Sequence, residues 1–261
     1  MSQIPGKYID KIKCMSYQDL LEDIPNSSID VLLTDPPYDI KIANWDSGFN
    51  LEDWLDTVLP KIAIDGIVMI FNTKANIDRI IKPKIENFYD KDHDFTVVDT
   101  IAWGKTNPRK NIDTVRQFEF LLIAYNNYNT SKSDRYYSGD FDPLFSNEEW
   151  ETAKELKIFA PDKEDKATVK EDKDKDATKK DDEHPDPKPI RLLVNLIRKY
   201  TRIDDIIIDN FSGSASIAVA SYYMSRQFVA CDIERKYVDR GNKRLSKIKK
   251  TLPRTLFIED I

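Results

Sequence analysis

What constrains this chain most is a series of apolar runs that do not alternate with polar residues. They are Ile29–Thr34 (IDVLLT), Gly66–Phe71 (GIVMIF), Val97–Trp103, Phe118–Tyr125 (FEFLLIAY), Ile206–Asp209 and Phe228–Ile233 (FVACDI). A strand with one face in water alternates, so runs of this kind need cover on both faces, as a mainly parallel sheet between helices provides. Helical stretches separate them. Ser16-Tyr-Gln-Asp19 reads as a capping box opening a short helix, and Asn50 caps a helix with Leu51, Trp54, Leu55 and Val58 on one face. A later helix carries Ile190, Leu193, Leu196, Ile197 and Tyr200 on one face; others run from about Ser214 to Met224 and, strongly basic, to near Lys250. The order predicts an α/β fold, and there is no internal repeat.

Composition sets the remaining bounds. With 40% hydrophobic and 11% aromatic residues over 261 positions, the chain can bury a sizeable core. No apolar run approaches the roughly 18 to 20 residues of a membrane span, and Met1 to Asp10 lacks the order of a signal peptide, so a soluble intracellular protein is expected. Cys14, Cys231, His93 and His184 are scattered without ligand spacing, so neither a disulfide framework nor a metal site is expected. Residues 161–183 hold 7 Lys and 10 Asp or Glu among 23 residues and nothing large and apolar; they read as a disordered charged linker. Few glycines beside many Ile, Lys, Asn and Asp suggest an AT-rich coding source.

In doubly wound sheets ligands sit at the carboxyl ends of strands, which singles out two places. After IDVLLT comes Asp35-Pro36-Pro37-Tyr38. A carboxylate, a rigid extended pair of prolines and an aromatic face together suit a planar ring bearing an amino group, which they can bind by hydrogen bonds and stacking. After Ile206–Asp209 comes Asn210-Phe211-Ser212-Gly213-Ser214, a small-residue turn into a helix, and Asp232 ends the next strand 19 residues after Gly213. Such a turn admits a ligand close to the backbone, and an acid about 20 residues on can bind ribose hydroxyls. The glycine spacing is not the dinucleotide fingerprint, which favours a nucleoside-type cofactor without a pyrophosphate.

In these motifs the chain resembles the S-adenosylmethionine-dependent amino-methyltransferases of DNA, the adenine-N6 and cytosine-N4 enzymes. Asp35-Pro36-Pro37-Tyr38 looks like their catalytic motif and Asp209 to Ser214 like their cofactor loop, with Asp232 in the place of the ribose-binding acid. His184-Pro-Asp-Pro-Lys188-Pro189 resembles the segment that helps hold the methionine portion, and Ile101–Lys105 and Phe118–Leu122 are similar to later strands. The catalytic motif precedes the cofactor loop, an order similar to that of the family's β group. The sequence departs from the pattern at Asn210, where proline is usual, at Ala215, where a second glycine is usual, and at Met15-Ser16, where many members have Gly-Asp.

The resemblance implies a Rossmann-like methyltransferase fold: a mainly parallel seven-stranded sheet with helices on both faces and a circularly permuted motif order. Residues 1–125 would form the catalytic half, 126–160 a small target-recognition region, 161–183 the linker and 184–261 the cofactor half. It implies S-adenosyl-L-methionine as cofactor, with Ser16, Asp35, His184, Lys188, Asp209, Phe211, Ser212, Gly213, Ser214 and Asp232 binding it. Asp35, Pro36, Pro37 and Tyr38 would act on a base flipped out of double-stranded DNA. Lys105-Thr-Asn107-Pro-Arg109-Lys110-Asn111, read as following a strand end, and Arg135 would contact the DNA. A second copy of the chain and a restriction endonuclease of the same site are the expected partners, without a membrane, in the cytoplasm of a bacterium or phage-infected cell. Adenine is expected over cytosine because Asp at the motif's first position is more usual in adenine enzymes. Cytosine-N4 methylation and a catalytically silent DNA-binding subunit remain open alternatives.

Overall fold

The computed structural model describes residues 4–38, 49–110, 115–126 and 187–251; for 105–110 and 115–117 it gives the backbone path. Asn111, Arg135, His184, the region 127–160 and the charged segment 161–183 lie outside the described residues. Seven strands form one sheet: β1 (Lys11–Cys14), β2 (Ile29–Thr34), β3 (Ile62–Asn72), β4 (Phe95–Lys110), β5 (Val115–Asn126), β6 (Ile206–Asp209) and β7 (Gln227–Asp232). Their order is β1-β7-β6-β2-β3-β5-β4. The pairs from β1 to β3 are parallel, whereas β5 pairs antiparallel with both β3 and β4. The sheet is thus mainly parallel, as the apolar runs predicted, with an antiparallel hairpin on one flank.

Both faces are covered. Alternate residues of one strand serve opposite cores: Leu32 faces α1 (Tyr17–Asp23), α2 (Leu51–Val58) and the helical stretch 74–86, whereas Val31 and Leu33 face the other side. That stretch runs as α3 (Lys74–Asn76), a π-helical turn Ile77–Ile81 and α4 (Lys82–Glu86). The opposite face is covered by α5 (Ile190–Tyr200), α6 (Ser216–Tyr223) and α7 (Arg235–Thr251). α5 buries Leu192, Leu193, Leu196, Ile197 and Tyr200, each contributing about 1.5–3 kcal/mol when fully buried. α6 packs against α5 and β7 and is buried from Ser216 to Tyr222, so no side of it faces water. Among the described residues no helix is long and apolar enough to cross a membrane.

Two local expectations are corrected. Lys105–Lys110 does not follow a strand end: the backbone stays extended in β4 through Lys110, with the pairing register shifting between Gly104 and Arg109. The helix expected from Ser214 begins at Ser216, because Ala215 takes the left-handed conformation, φ 63°, and acts as its cap. Ser16 does cap α1, accepting from the Asp19 amide at 3.1 Å, but the reciprocal bond runs from its hydroxyl to the Asp19 carboxylate at 2.7 Å.

Candidate active site

The chain leaves β2 through α2 towards β3 on one side and leaves β6 through α6 towards β7 on the other. The crevice at the carboxyl ends of β2 and β6 is therefore the topological switch point, where open α/β sheets bind ligands. Asp35 follows β2, the turn Asn210–Ser214 follows β6, and Asp232 ends β7. β5 runs antiparallel to β3, with Phe120 opposite Asn72, so Glu119 reaches the same end of the sheet.

Asp35 is held on both sides. Its Oδ2 accepts from the Lys188 ammonium, which also pairs with Glu119 Oε2 at 3.0 Å, and its Oδ1 accepts from the Tyr38 hydroxyl at 2.5 Å. The Tyr38 carbonyl accepts from the Asn76 amide at 3.1 Å, and that amide also donates to Asn72 Oδ1, so the segment after β2 is anchored to the end of β3. Lys188 is 6% exposed, with its ammonium 5.2 Å from the Phe71 ring centre and 6.0 Å from that of Tyr38. Burial by itself drives an ammonium towards neutrality, but the charges of Asp35 and Glu119 more than offset that and raise the lysine pKa above its ordinary range.

The loop after β6 is built by close backbone geometry. Gly213 has φ 42°, the Gly213 amide donates to Asp232 Oδ2 at 2.8 Å, and the Glu234 amide donates to Asp232 Oδ1 at 2.9 Å. Burial pushes the Asp232 carboxyl up, against these two amide donors. Asp209 is buried and accepts from the Thr34 hydroxyl at 2.8 Å and the Phe211 amide at 3.2 Å. Desolvation, aided by the charges of Asp35 and Asp232 and opposed by those bonds, lifts it to about 7. The Phe211 ring packs among Tyr17, Phe49 and Trp54, with centres 5.7, 5.2 and 5.6 Å away. The Ser214 and Ser216 hydroxyls are 2.9 Å apart. Ser16 follows β1, whose Cys14 is paired with Asp232, and the Met15 amide donates to the Asp232 carbonyl at 3.1 Å.

These residues fit a cationic, nucleoside-bearing cofactor. Asp35 and Glu119 flank the buried Lys188 ammonium, Asp209 and Asp232 add carboxyl groups at the ends of β6 and β7, and the side-chain polar atoms of Asn210 and the Ser212 hydroxyl are buried without a hydrogen-bond partner among the described residues. Orphaned buried polar atoms beside a glycine turn are what a polar ligand would satisfy. The structure thus brings Asp35, Pro36, Pro37, Tyr38 and Lys188 together at one strand end and Asp209 to Ser214 with Asp232 and Ser16 at its neighbours. Among the described residues no group of three or more His, Cys, Asp or Glu has metal-binding geometry. Sequence reasoning missed Glu119; its signal was a lone carboxylate between Phe118 and Phe120 in an otherwise apolar strand.

A seven-stranded sheet of this order, with its candidate site at the β2/β6 switch point, is the fold of the class I methyltransferases. It superposes on the crystal structure of the M1.HpyAVI–SAM complex with a TM-score of 0.63, at 25% identity, covering 90% of this chain and 98% of that one. It also superposes on the cytosine-N4-specific PvuII DNA methyltransferase, with a TM-score of 0.59 at 15% identity, a likeness of fold. The model of the N6/N4 DNA methylase family matches residues 29–243, and the chain belongs to that family. Among its relatives, the Type II methyltransferase M1.MboII of Moraxella bovis is 26% identical over 92% of this chain and 98% of its own length. The Type II methyltransferase M2.LlaDCHI of Lactococcus lactis subsp. cremoris is 27% identical over 87% of this chain and 86% of its own. The cofactor of the family is S-adenosyl-L-methionine.

Proposed function

We propose that this chain is a site-specific DNA adenine-N6 methyltransferase that takes its methyl group from S-adenosyl-L-methionine. The observation that carries the reading is Asp35, set at the switch point with one carboxylate oxygen fixed by Lys188 and the other under the Tyr38 hydroxyl. When bound, S-adenosyl-L-methionine supplies an electrophilic methyl group on a sulfonium. Asp232, Asp209, Phe211, Ser212, Gly213 and Ser214 would hold it, with Ser16, Lys188 and His184 at its margins.

An adenine amino nitrogen is conjugated with its ring and is a poor nucleophile. Asp35 Oδ1 accepts one of its hydrogens in place of the Tyr38 hydroxyl, and the Pro36 carbonyl is the second acceptor. The carboxylate charge stabilises the positive charge that develops on nitrogen and takes up the proton that nitrogen then sheds. The base must leave the duplex to reach this position, and the Tyr38 ring is the face on which it stacks. Adenine is preferred to cytosine because Asp35 occupies the position that more usually holds Asp in the adenine enzymes. Lys105, Asn107, Arg109 and Lys110 along β4, with Asn111 and Arg135, would contact double-stranded DNA. A second copy of the chain would share sequence reading, and a restriction endonuclease of the same site would be its companion. A monomeric mass at micromolar concentration in light scattering would contradict the dimer.

The assignment of Asp35 is tested by Asp35→Ala. Calorimetry should show cofactor binding retained while methyl transfer to duplex DNA falls below detection; full transfer by the variant would overturn the assignment.

A further inference from the structure

We infer that Glu119 is a positioning residue of the transfer site: by sharing the Lys188 ammonium with Asp35 it keeps Asp35 a net negative, fixed acceptor for the target amine. Glu119 lies on β5, a strand of the antiparallel hairpin, and is 8% exposed. Burying a carboxylate costs several kcal/mol unless a charge or hydrogen bonds compensate it, and the Lys188 ammonium stands 3.0 Å from Glu119 Oε2. Lys188 comes from the segment before α5 and Asp35 from the end of β2, so three separate parts of the chain meet at one ammonium.

The charge count gives the arrangement its meaning. Asp35 with Lys188 alone would be a neutral pair, a weak partner for a nitrogen gaining positive charge. With Glu119 the trio is net negative, and Lys188 is anchored so that it fixes Oδ2 and leaves Oδ1 to exchange the Tyr38 hydroxyl for an amine. The charged and titratable groups facing Asp35 are Tyr38 after β2, Lys188 before α5, Glu119 of β5 through that lysine, and Asp209 at the end of β6, whose carboxyl feels the Asp35 charge. The role in transfer rests on the proposed function; the electrostatic coupling does not.

The test is a carbon-13 NMR titration of the Asp35 carboxyl in the full-length protein, assigned by its disappearance in Asp35→Asn. In a Lys188→Met background, Glu119→Gln should lower the pH at which Asp35 titrates by about one unit, because a like charge has been removed. In Lys188→Met alone the Asp35 signal should titrate in two coupled steps, a readout that holds even if the double variant does not fold. With Lys188 present, Glu119→Gln should slow single-turnover methyl transfer at saturating S-adenosyl-L-methionine about tenfold or more and move its acid limb to lower pH. An Asp35 titration unmoved by Glu119, a single uncoupled step, or a full rate in Glu119→Gln would overturn the inference. A wild-type protein that transfers no methyl group to DNA would instead refute the proposed function, and the titration would still decide the coupling.

Discussion

The Thr34 hydroxyl donates to the Asp209 carboxylate at 2.8 Å, a buried bond that ties the carboxyl end of β2 to that of β6. The strand that leads into Asp35 and the strand that leads into the Asn210–Ser214 turn are thereby locked across the switch point. Fixed ends on rigid strands are what hold a methyl acceptor and a methyl donor in line, the entropic part of such a reaction.

The bond has a pH signature. Asp209 titrates at about 7 in the folded chain and near 3.9 when unfolded. Between those values the folded state holds a proton that the unfolded state has lost, so this group's contribution to stability falls as pH rises from about 4 to 7 and is constant above that. Asp209→Asn keeps an acceptor for Thr34 and removes the slope. Thermal melts from about pH 5 to 8 should show the wild-type Tm falling relative to the variant, by about 2–4 °C for each kcal/mol. Parallel curves would contradict the raised carboxyl.

Ala215 and Gly241 form a packing pair. A Cβ on Gly241 would stand 2.8 Å from the Ala215 Cβ and 2.8 Å from Ile12 Cδ1, so α7 approaches the α6 cap only because position 241 is glycine. Gly241→Ala should destabilise the protein by about 1–3 kcal/mol in urea unfolding. Ala215→Gly, which also relieves the left-handed φ of 63°, should recover part of that loss in the double variant. Strict additivity of the two changes would contradict the contact.

Asp232 is the acceptor for two backbone amides and the acid of the proposed cofactor pocket. Asp232→Ala removes the proposed ribose acceptor and the acceptor of the Gly213 amide, and calorimetry should show S-adenosyl-L-methionine binding at least about tenfold weaker. An unchanged Kd would remove Asp232 from the pocket.

Tyr38 separates hydroxyl from ring. Tyr38→Phe frees Asp35 Oδ1 and keeps the stacking face, so single-turnover transfer should stay within about threefold of wild type. Tyr38→Ala should weaken capture of the target base by about 1–3 kcal/mol, read as a raised Kd for duplex containing an abasic or mismatched partner opposite the target. Equal losses in both variants would mean that the hydroxyl, not the ring, matters.

The parts legible in the sequence are those set by local pattern. The buried runs of β2, β3, β6 and β7 lack alternation because both faces are covered, and the stripes of α2 and α5 are spaced by the helical period. Asp35 could be placed because it follows such a run, and Asp232 because it ends one. β1 was not legible: it is four residues long with two lysines and pairs only with β7. The stretch 74–86 hid behind Pro83 and a π-helical turn that breaks the 3.6-residue spacing. β4 reads as ending before Asn107-Pro108, a turn-forming pair; the register of pairing with β5 shifts across it, and the strand resumes pairing at Arg109. The Lys188 contacts with Asp35 and Glu119 join residues far apart in the chain, and periodicity carries no information about them.

Adenine-N6 transfer is decided by incubating the protein with S-adenosyl-L-methionine and unmethylated duplex DNA, digesting to nucleosides and identifying the product by mass spectrometry. The expected product is N6-methyladenine, formed by the wild type and lost in Asp35→Ala. N4-methylcytosine, or no methylated nucleoside from a protein that binds the cofactor, would contradict it.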